Sequence, residues 1–127
     1  MSVSVGRRVV PCLWVADMRR TLDFYIERLG FHQTGYFPIE SDPKRTEVRR
    51  DDVTIMFFSD RAQSPGDGPK STCRLYLFPD SVDRLADELR EKLPFLWGPE
   101  NTEFDMRELA VRDPDGYVLI FAEPARA

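Results

Sequence analysis

Apolar residues in this chain come in short runs separated by turn-forming residues, and the order of the runs carries the first information. Arg8 to Val15 (RVVPCLWV) is predicted to be a buried strand in which Pro11 marks an edge or a bulge. Period-two alternation puts Val9, Leu13 and Val15 on one face and Val10, Cys12 and Trp14 on the other. Asp17 then offers an N-cap oxygen to a helix whose apolar positions Met18, Leu22, Tyr25 and Leu29 recur at helical spacing, and Gly30 ends it. Phe31 to Phe37 reads as a second strand and Pro38 to Lys44 as a loop. Arg45 to Arg50 and Val53 to Phe58 form a hairpin across Asp51-Asp52. The polar Asp60 to Lys70, with two Pro and two Gly, has the composition of an exposed linker.

The pattern then restarts. Thr72 to Phe78 is a predicted strand, Asp80 an N-cap, and Val82, Leu85, Ala86, Leu89 and Leu93 a helical stripe that stops at Pro94. Phe95-Leu96-Trp97 starts a short strand before a polar loop from Gly98 to Asp105. The chain closes with a hairpin, Met106 to Glu123, turned by Asp113-Pro114-Asp115-Gly116. On its second strand Tyr117, Leu119 and Phe121 point one way, towards helices, and Val118, Ile120 and Ala122 the other. Asp17 and Asp80 lie 63 positions apart, and the turn residues Asp52 and Gly116 lie 64 apart. The expected fold class is therefore α+β, a duplicated βαβββ unit. One domain is expected over residues 1–127, with module one at about 7–59, a linker at 60–70 and module two at about 71–124. The two units pair into a curled mixed sheet around a cleft, with helices on the outer face.

Composition narrows the partners. The 127 residues are 42% hydrophobic, and 22 acids against 18 bases give a formal net charge of −4 without any basic block that could follow a phosphate backbone. Nucleic acid is thus not an expected partner. No apolar run approaches the roughly 20 residues of a membrane span, and the first residues lack a signal-peptide pattern, so a soluble cytoplasmic protein is expected. Cys12 and Cys73 sit in apolar runs rather than at zinc-site spacing and are read as reduced, mostly buried thiols. A single histidine, His32, excludes chemistry that needs several imidazoles in one chain. No nucleophile elbow, phosphate-binding glycine loop or Cys-His pair is present, so no catalytic residue is assigned; Tyr76 and Glu108 are an acid–base pair only in principle.

Phe24-Tyr25 followed by Leu29-Gly30-Phe31, the stretch VRRDDVTIMFF, and Arg112-Asp113-Pro114-Asp115-Gly116-Tyr117 near the end together resemble the vicinal-oxygen-chelate superfamily. That superfamily includes glyoxalase I, extradiol dioxygenases, fosfomycin-modifying enzymes and bleomycin resistance proteins, and the chain looks closest to the last. The resemblance covers nearly the whole sequence. It implies paired βαβββ modules and a homodimer with clefts between chains. In metal-dependent members four cleft-facing strand positions hold a divalent ion. The resemblance places them here at Val10, Met56, Arg74 (with Thr72 two residues away) and Ile120, none of which is a suitable ligand. No metal and no cofactor are expected.

If those positions mark the cleft, alternation adds Cys12, Trp14, Phe58, Tyr76, Phe78 and Ala122 to its lining, an aromatic and apolar wall with Arg74 as a positive charge. Arg74 counts against a cationic antibiotic of the bleomycin type. The acids Glu40, Asp42, Glu100, Glu103 and Asp105 in two loops form a possible rim. The expected function is metal-free sequestration of a hydrophobic or aromatic small molecule, of the kind that confers antibiotic resistance, in an intersubunit cleft. Two alternatives stand beside it: a metal-dependent glyoxalase or dioxygenase, and a non-catalytic interaction module whose cleft is plugged by its own aromatics, with Arg74 neutralised by Glu47 or Glu108.

Overall fold

The structure, a computed structural model, describes residues 2–6, 8–60 and 74–125. The expected linker lies almost wholly outside the described residues, as do Thr72 and Cys73. The first unit runs β1 (Cys12–Trp14), α1 (Met18–Leu22), which continues as a π-helical segment (Asp23–Arg28), β2 (His32–Phe37), β3 (Arg45–Arg50) and β4 (Val53–Phe58). The second runs β5 (Arg74–Leu77), α2 (Val82–Leu89), β6 (Trp97–Asn101), β7 (Met106–Arg112) and β8 (Val118–Pro124). Each unit makes a four-stranded mixed sheet, in the orders β1-β4-β3-β2 and β5-β8-β7-β6. The outer pairs β1–β4 and β5–β8 are parallel and the rest antiparallel. The βαβββ duplication and the α+β class are as the sequence indicates. The two sheets stay separate: among the described residues no strand pair joins them.

Local chemistry accounts for where the boundaries shift. β1 is shorter than the predicted Arg8–Val15 because Pro11 has no N–H to give; its carbonyl still accepts from Met56 N at 2.9 Å. Ser81, not Asp80, caps α2, its hydroxyl accepting from Arg84 N at 3.2 Å. α2 stops at Leu89, before Pro94, and the chain turns back through Leu93. The predicted loop from Gly98 to Asp105 is corrected over its first half, which is strand β6. Gly98 there adopts φ +83, and a register shift between Trp97 and Glu100 carries the pairing past two residues whose composition signals a loop.

Helix α1 starts as expected, with Asp17 accepting from Arg20 N at 3.1 Å, but then widens. Leu29 N bonds to Phe24 O, five residues back, instead of four. The wider turn lets the adjacent Phe24 and Tyr25 both face the core. Tyr25 is fully buried, its ring 4.8 Å from that of Phe57 and edge-on to Phe24 and Phe31. One contiguous core joins both units: Val15, Leu22, Leu29, Val48, Ile55 and Phe57 from the first, Leu77, Ala86, Leu89, Leu109, Leu119 and Phe121 from the second. Each such fully buried Leu, Ile or Phe stabilises by about 1.5–3 kcal/mol.

Each helix also reaches the hairpin of the other unit. From α1, Tyr25 Oη donates to Asp113 Oδ2 (2.8 Å) and Thr21 Oγ1 to Asp115 Oδ2 (3.2 Å), while Ala16 N and Arg20 donate to Asp115 Oδ1 (3.1 and 3.3 Å). Asp113 Oδ1 accepts from the N–H groups of Asp115 and Tyr117, both at 2.9 Å, and Tyr117 Oη returns to Trp14 O at 2.7 Å. From α2, Glu88 makes a bidentate pair with Arg50 (2.8 and 3.0 Å), whose guanidinium also donates to Leu29 O. The DPDG sequence is therefore a clasp between units as well as a turn. Burial is the main cause holding the Tyr25 phenol well above its ordinary range, with the Asp113 charge adding to it. Burial, then Asp115 and Asp113, push the Tyr117 phenol up to about 12. Both stay protonated donors at neutral pH.

Candidate ligand-binding face

Because β-strand side chains alternate, the core fixes which residues lie on the sheet face away from the helices. In the first sheet register aligns Cys12 with Met56 and Glu47, and Trp14 with Phe58 and Arg45. In the second it aligns Tyr76 with Ile120, Ala110 and Trp97, and Ala122 with Glu108 and Glu100. The two units superpose in this scheme, so Cys12 corresponds to Tyr76, Met56 to Ile120 and Arg45 to Glu108. The sites named from the sequence thus divide into two clusters, Val10, Cys12, Trp14, Met56 and Phe58 on one sheet and Arg74, Tyr76, Phe78 and Ile120 on the other.

Their environments differ. Tyr76 and Phe78 are 46% and 69% exposed and stack on each other, ring centroids 6.5 Å apart. Ile120 and Ala122 are fully buried within the chain, as is Ala110. Trp14, Met56 and Phe58 are half-buried, and the indole N–H of Trp14 donates to Asp60 O at 3.1 Å. Val10 is half-buried beyond the end of β1. Cys12 is exposed, correcting the expectation of a buried thiol, since β1 is an edge strand and the residue faces away from the core. What burial it has raises the thiol pKa, partly offset by Arg45, so the thiol is not activated.

Arg74 on one edge strand and Trp97 on the other come together, with Arg74 Cζ 5.5 Å from the indole centroid, across the two strands that carry Ile120 and Ala110. The pair is a cation–π contact. Trp97, which sequence reading left at the mouth of a loop, is thus part of this face; aligning the duplicated strand β2 against residues 97–101 is the signal that finds it. Among the described residues no salt bridge joins Arg74 to either acid proposed to neutralise it. Glu47 accepts from Thr34 Oγ1 at 2.8 Å, and Glu108, 3% exposed, has an Oε2 without a hydrogen-bond partner among the described residues. Arg45, in the corresponding place on the first sheet, pairs with Asp60 at 3.1 Å and lies over Phe58. Of the acids suggested as a loop rim, Glu100 is on β6 opposite Glu108, while Glu40, Asp42, Glu103 and Asp105 are exposed.

A divalent ion does not fit the four positions at which metal-using relatives would hold one. Val10, Met56, Arg74 and Ile120 supply hydrocarbon, thioether and guanidinium, and among the described residues no group of three His, Cys, Asp or Glu converges. Two cavities lie elsewhere, on the helix side. One of about 640 Å³ runs between Leu29, Phe31 and Val53 of the first unit and Leu85 and Glu88 of the second; the other, of about 500 Å³, lies by Asp83, Asn101 and Arg107. Each is crossed by one ion pair, Arg50 with Glu88 in the first and Arg107 with Asp83 in the second. No helix among the described residues is long and apolar enough to cross a membrane.

Two four-stranded mixed sheets, each built from a βαβββ unit, define the class, and the profile of the Glyoxalase/Bleomycin resistance protein/Dioxygenase superfamily matches residues 7–121. The chain belongs to that superfamily. Among solved structures it is similar to TnmS3, an antibiotic binding protein from Streptomyces sp. CB03234, with 24% identity over 98% of this chain and 100% of that one and a TM-score of 0.74. A glyoxalase/bleomycin resistance protein from the same organism shares 25% identity over 90% of this chain and 97% of its own, at a TM-score of 0.67. A glyoxalase/bleomycin resistance protein/dioxygenase from Nocardioides, 16% identical over 99% of this chain and 88% of that one, gives 0.76. No curated protein matches the sequence.

Proposed function

We propose that the protein is a metal-free binder of a flat, largely apolar small molecule, working as a homodimer whose second chain closes the sheet face away from the helices. The observation that carries this reading is the stacked Tyr76–Phe78 pair, two aromatic rings left exposed on a face whose centre is otherwise apolar. Such a wall gains affinity by burial and stacking when a planar ligand covers it. Similarity to an antibiotic-binding protein supports the same direction. The two modules act as one unit, held by the Asp113 and Asp115 clasp. Catalysis has no group assigned to it.

Fluorescence titration with a panel of aromatic antibiotics and aromatic acids tests this, together with sedimentation for the dimer. A panel member should quench Trp fluorescence and raise the melting temperature, and Tyr76→Ala should weaken it about tenfold or more while leaving the melting temperature of the free protein near wild type. Absence of any binder in the panel, or an affinity untouched by Tyr76→Ala, counts against the reading. Stoichiometric Ni, Zn, Mn or Fe in protein purified without chelators overturns its metal-free part.

A further inference from the structure

We propose that the larger helix-side cavity, between the two units, is a second ligand site, and that it takes a neutral phenol, an aromatic ring carrying a hydroxyl. This site is separate from the sheet face and does not depend on the reading above. The duplication shows what the cavity lacks. Strand registers and the two N-caps, Asp17 and Ser81, match Tyr25 with Leu89, Thr21 with Leu85, Tyr117 with Val53, Phe57 with Phe121 and Asp113 with Arg50. Around α1 the space is filled: the Tyr25 ring lies 4.8 Å from that of Phe57 and its phenol donates to Asp113, while the Tyr117 phenol reaches Trp14 O. Around α2 aliphatic side chains stand where both phenols would be. Leu89, Leu85, Val53, Phe121 and Arg50 all line the cavity of about 640 Å³. A Leu and a Val do not reach as far as two tyrosines, so volume that rings occupy on one side of the molecule is open on the other. The opening is of small-molecule size, within about 300–1,000 Å³, and its floor is apolar.

The polar end of the site selects the ligand. Where Asp113 accepts from a phenol in the first half, Arg50 and Glu88 present a guanidinium and a carboxylate, joined at 2.8 and 3.0 Å. A hydroxyl both donates and accepts, so one phenol can accept from Arg50 while donating to Glu88; an ether can only accept. A carboxylate placed there meets the like charge of Glu88 and an ammonium that of Arg50, and neither repulsion falls on a neutral group. The rim acids Asp51 and Asp52, with side chains 91% and 106% exposed, are screened by water and do not tip this balance.

Calorimetric titration of the Tyr76→Ala protein, in which the sheet face is weakened, tests the site with 2-naphthol, 2-methoxynaphthalene, 2-naphthoate and 2-naphthylmethylammonium. Naphthol should bind once per chain and about tenfold more tightly than the other three, the range of a hydrogen bond to a charged group. Val53→Tyr, which puts the ring of the matching Tyr117 into the cavity, should abolish naphthol binding. Leu85→Phe fills the same space from the helix and should do likewise, which keeps the test open if Val53→Tyr does not fold. Naphthol binding that survives whichever of these variants fold overturns the site. Binding by wild type that is lost in Tyr76→Ala places the probe on the sheet face, which overturns this site and leaves the earlier reading standing. Failure of naphthol to bind either protein overturns the site, and equal affinity for naphthol and any of the other three overturns the selection for a phenol.

Discussion

The phenol of Tyr25 donates to Asp113 Oδ2 across 2.8 Å, joining the helix of the first unit to the last turn of the second. Eighty-eight positions of sequence separate the two. The bond makes one cross-link out of two short sequence features that each look ordinary, an aromatic in a helix and an acid in a turn. Tyr25→Phe keeps the ring and its packing while removing the donor. The variant should lose about 1–3 kcal/mol of unfolding free energy, because it leaves a buried acceptor short of a partner. Urea denaturation with an unchanged m-value would read this directly, and a loss below about 0.5 kcal/mol would show that the clasp is not needed.

The same acid gives a pH signature. Burial raises the Asp113 carboxyl above its ordinary value, against the lowering effect of the hydrogen bonds from Tyr25, Tyr117 and Asp115. A raised acid pKa means that the native state holds the proton more tightly than the unfolded chain does. Its contribution is therefore fully present below the unfolded value, about 3.9, and is lost as pH rises through the native one. Asp113→Asn removes this component. The stability of wild type relative to Asp113→Asn should fall as pH is raised from about 3.5 towards neutrality, measured by urea denaturation at each pH. A difference that grows with pH would reverse the assignment.

Glu88 behaves in the opposite sense. Its hydrogen bonds from Arg50 lower its pKa, so its stabilisation is present above the ordinary Glu range, about 4.3, and disappears as pH falls through the native value. The pair is well exposed and screened, so Glu88→Gln should cost only about 0.5–1 kcal/mol at neutral pH and nothing in acid. Thermal melts at low and neutral pH would separate this from a packing defect, which would persist in acid.

Among the described glycines, Gly98 is the one least able to accept a side chain. Its φ is +83, and a Cβ there would meet Glu108 O at 2.0 Å, a contact that moving a flexible side chain cannot relieve. Gly98→Ala should destabilise by about 2–4 kcal/mol or break the β6–β7 register, because strain and overlap act together. Faster hydrogen exchange confined to the β6 and β7 amides would identify the register as what failed.

Much of this architecture was written in the pattern of side chains. The hairpin Arg45–Arg50 with Val53–Phe58 formed with the predicted bounds because two acids at a two-residue turn leave little choice of register. The stripe Val82, Ala86, Leu89 and Leu93 is buried as its spacing requires. β6 was hidden because Gly98 and Pro99 are turn-formers by composition, and only pairing with β7 turns them into a bulge. Cys12 looked buried because its run is apolar, but an edge strand has a partner on one side only. Ser81 displaced Asp80 because either can cap a helix and one position decides between them. The isolation of Glu108 depends on residues from three strands, and no spacing along the chain records which neighbours an acid will have.

The duplication placed Arg45 and Glu108 at the same point of the two sheets, one basic and paired with Asp60, the other acidic and buried, its Oε2 without a partner among the described residues. Two identical halves would offer a guest two equivalent ways to lie, related by the pseudo-twofold between them. Here that symmetry is broken in its charge while the backbone keeps it.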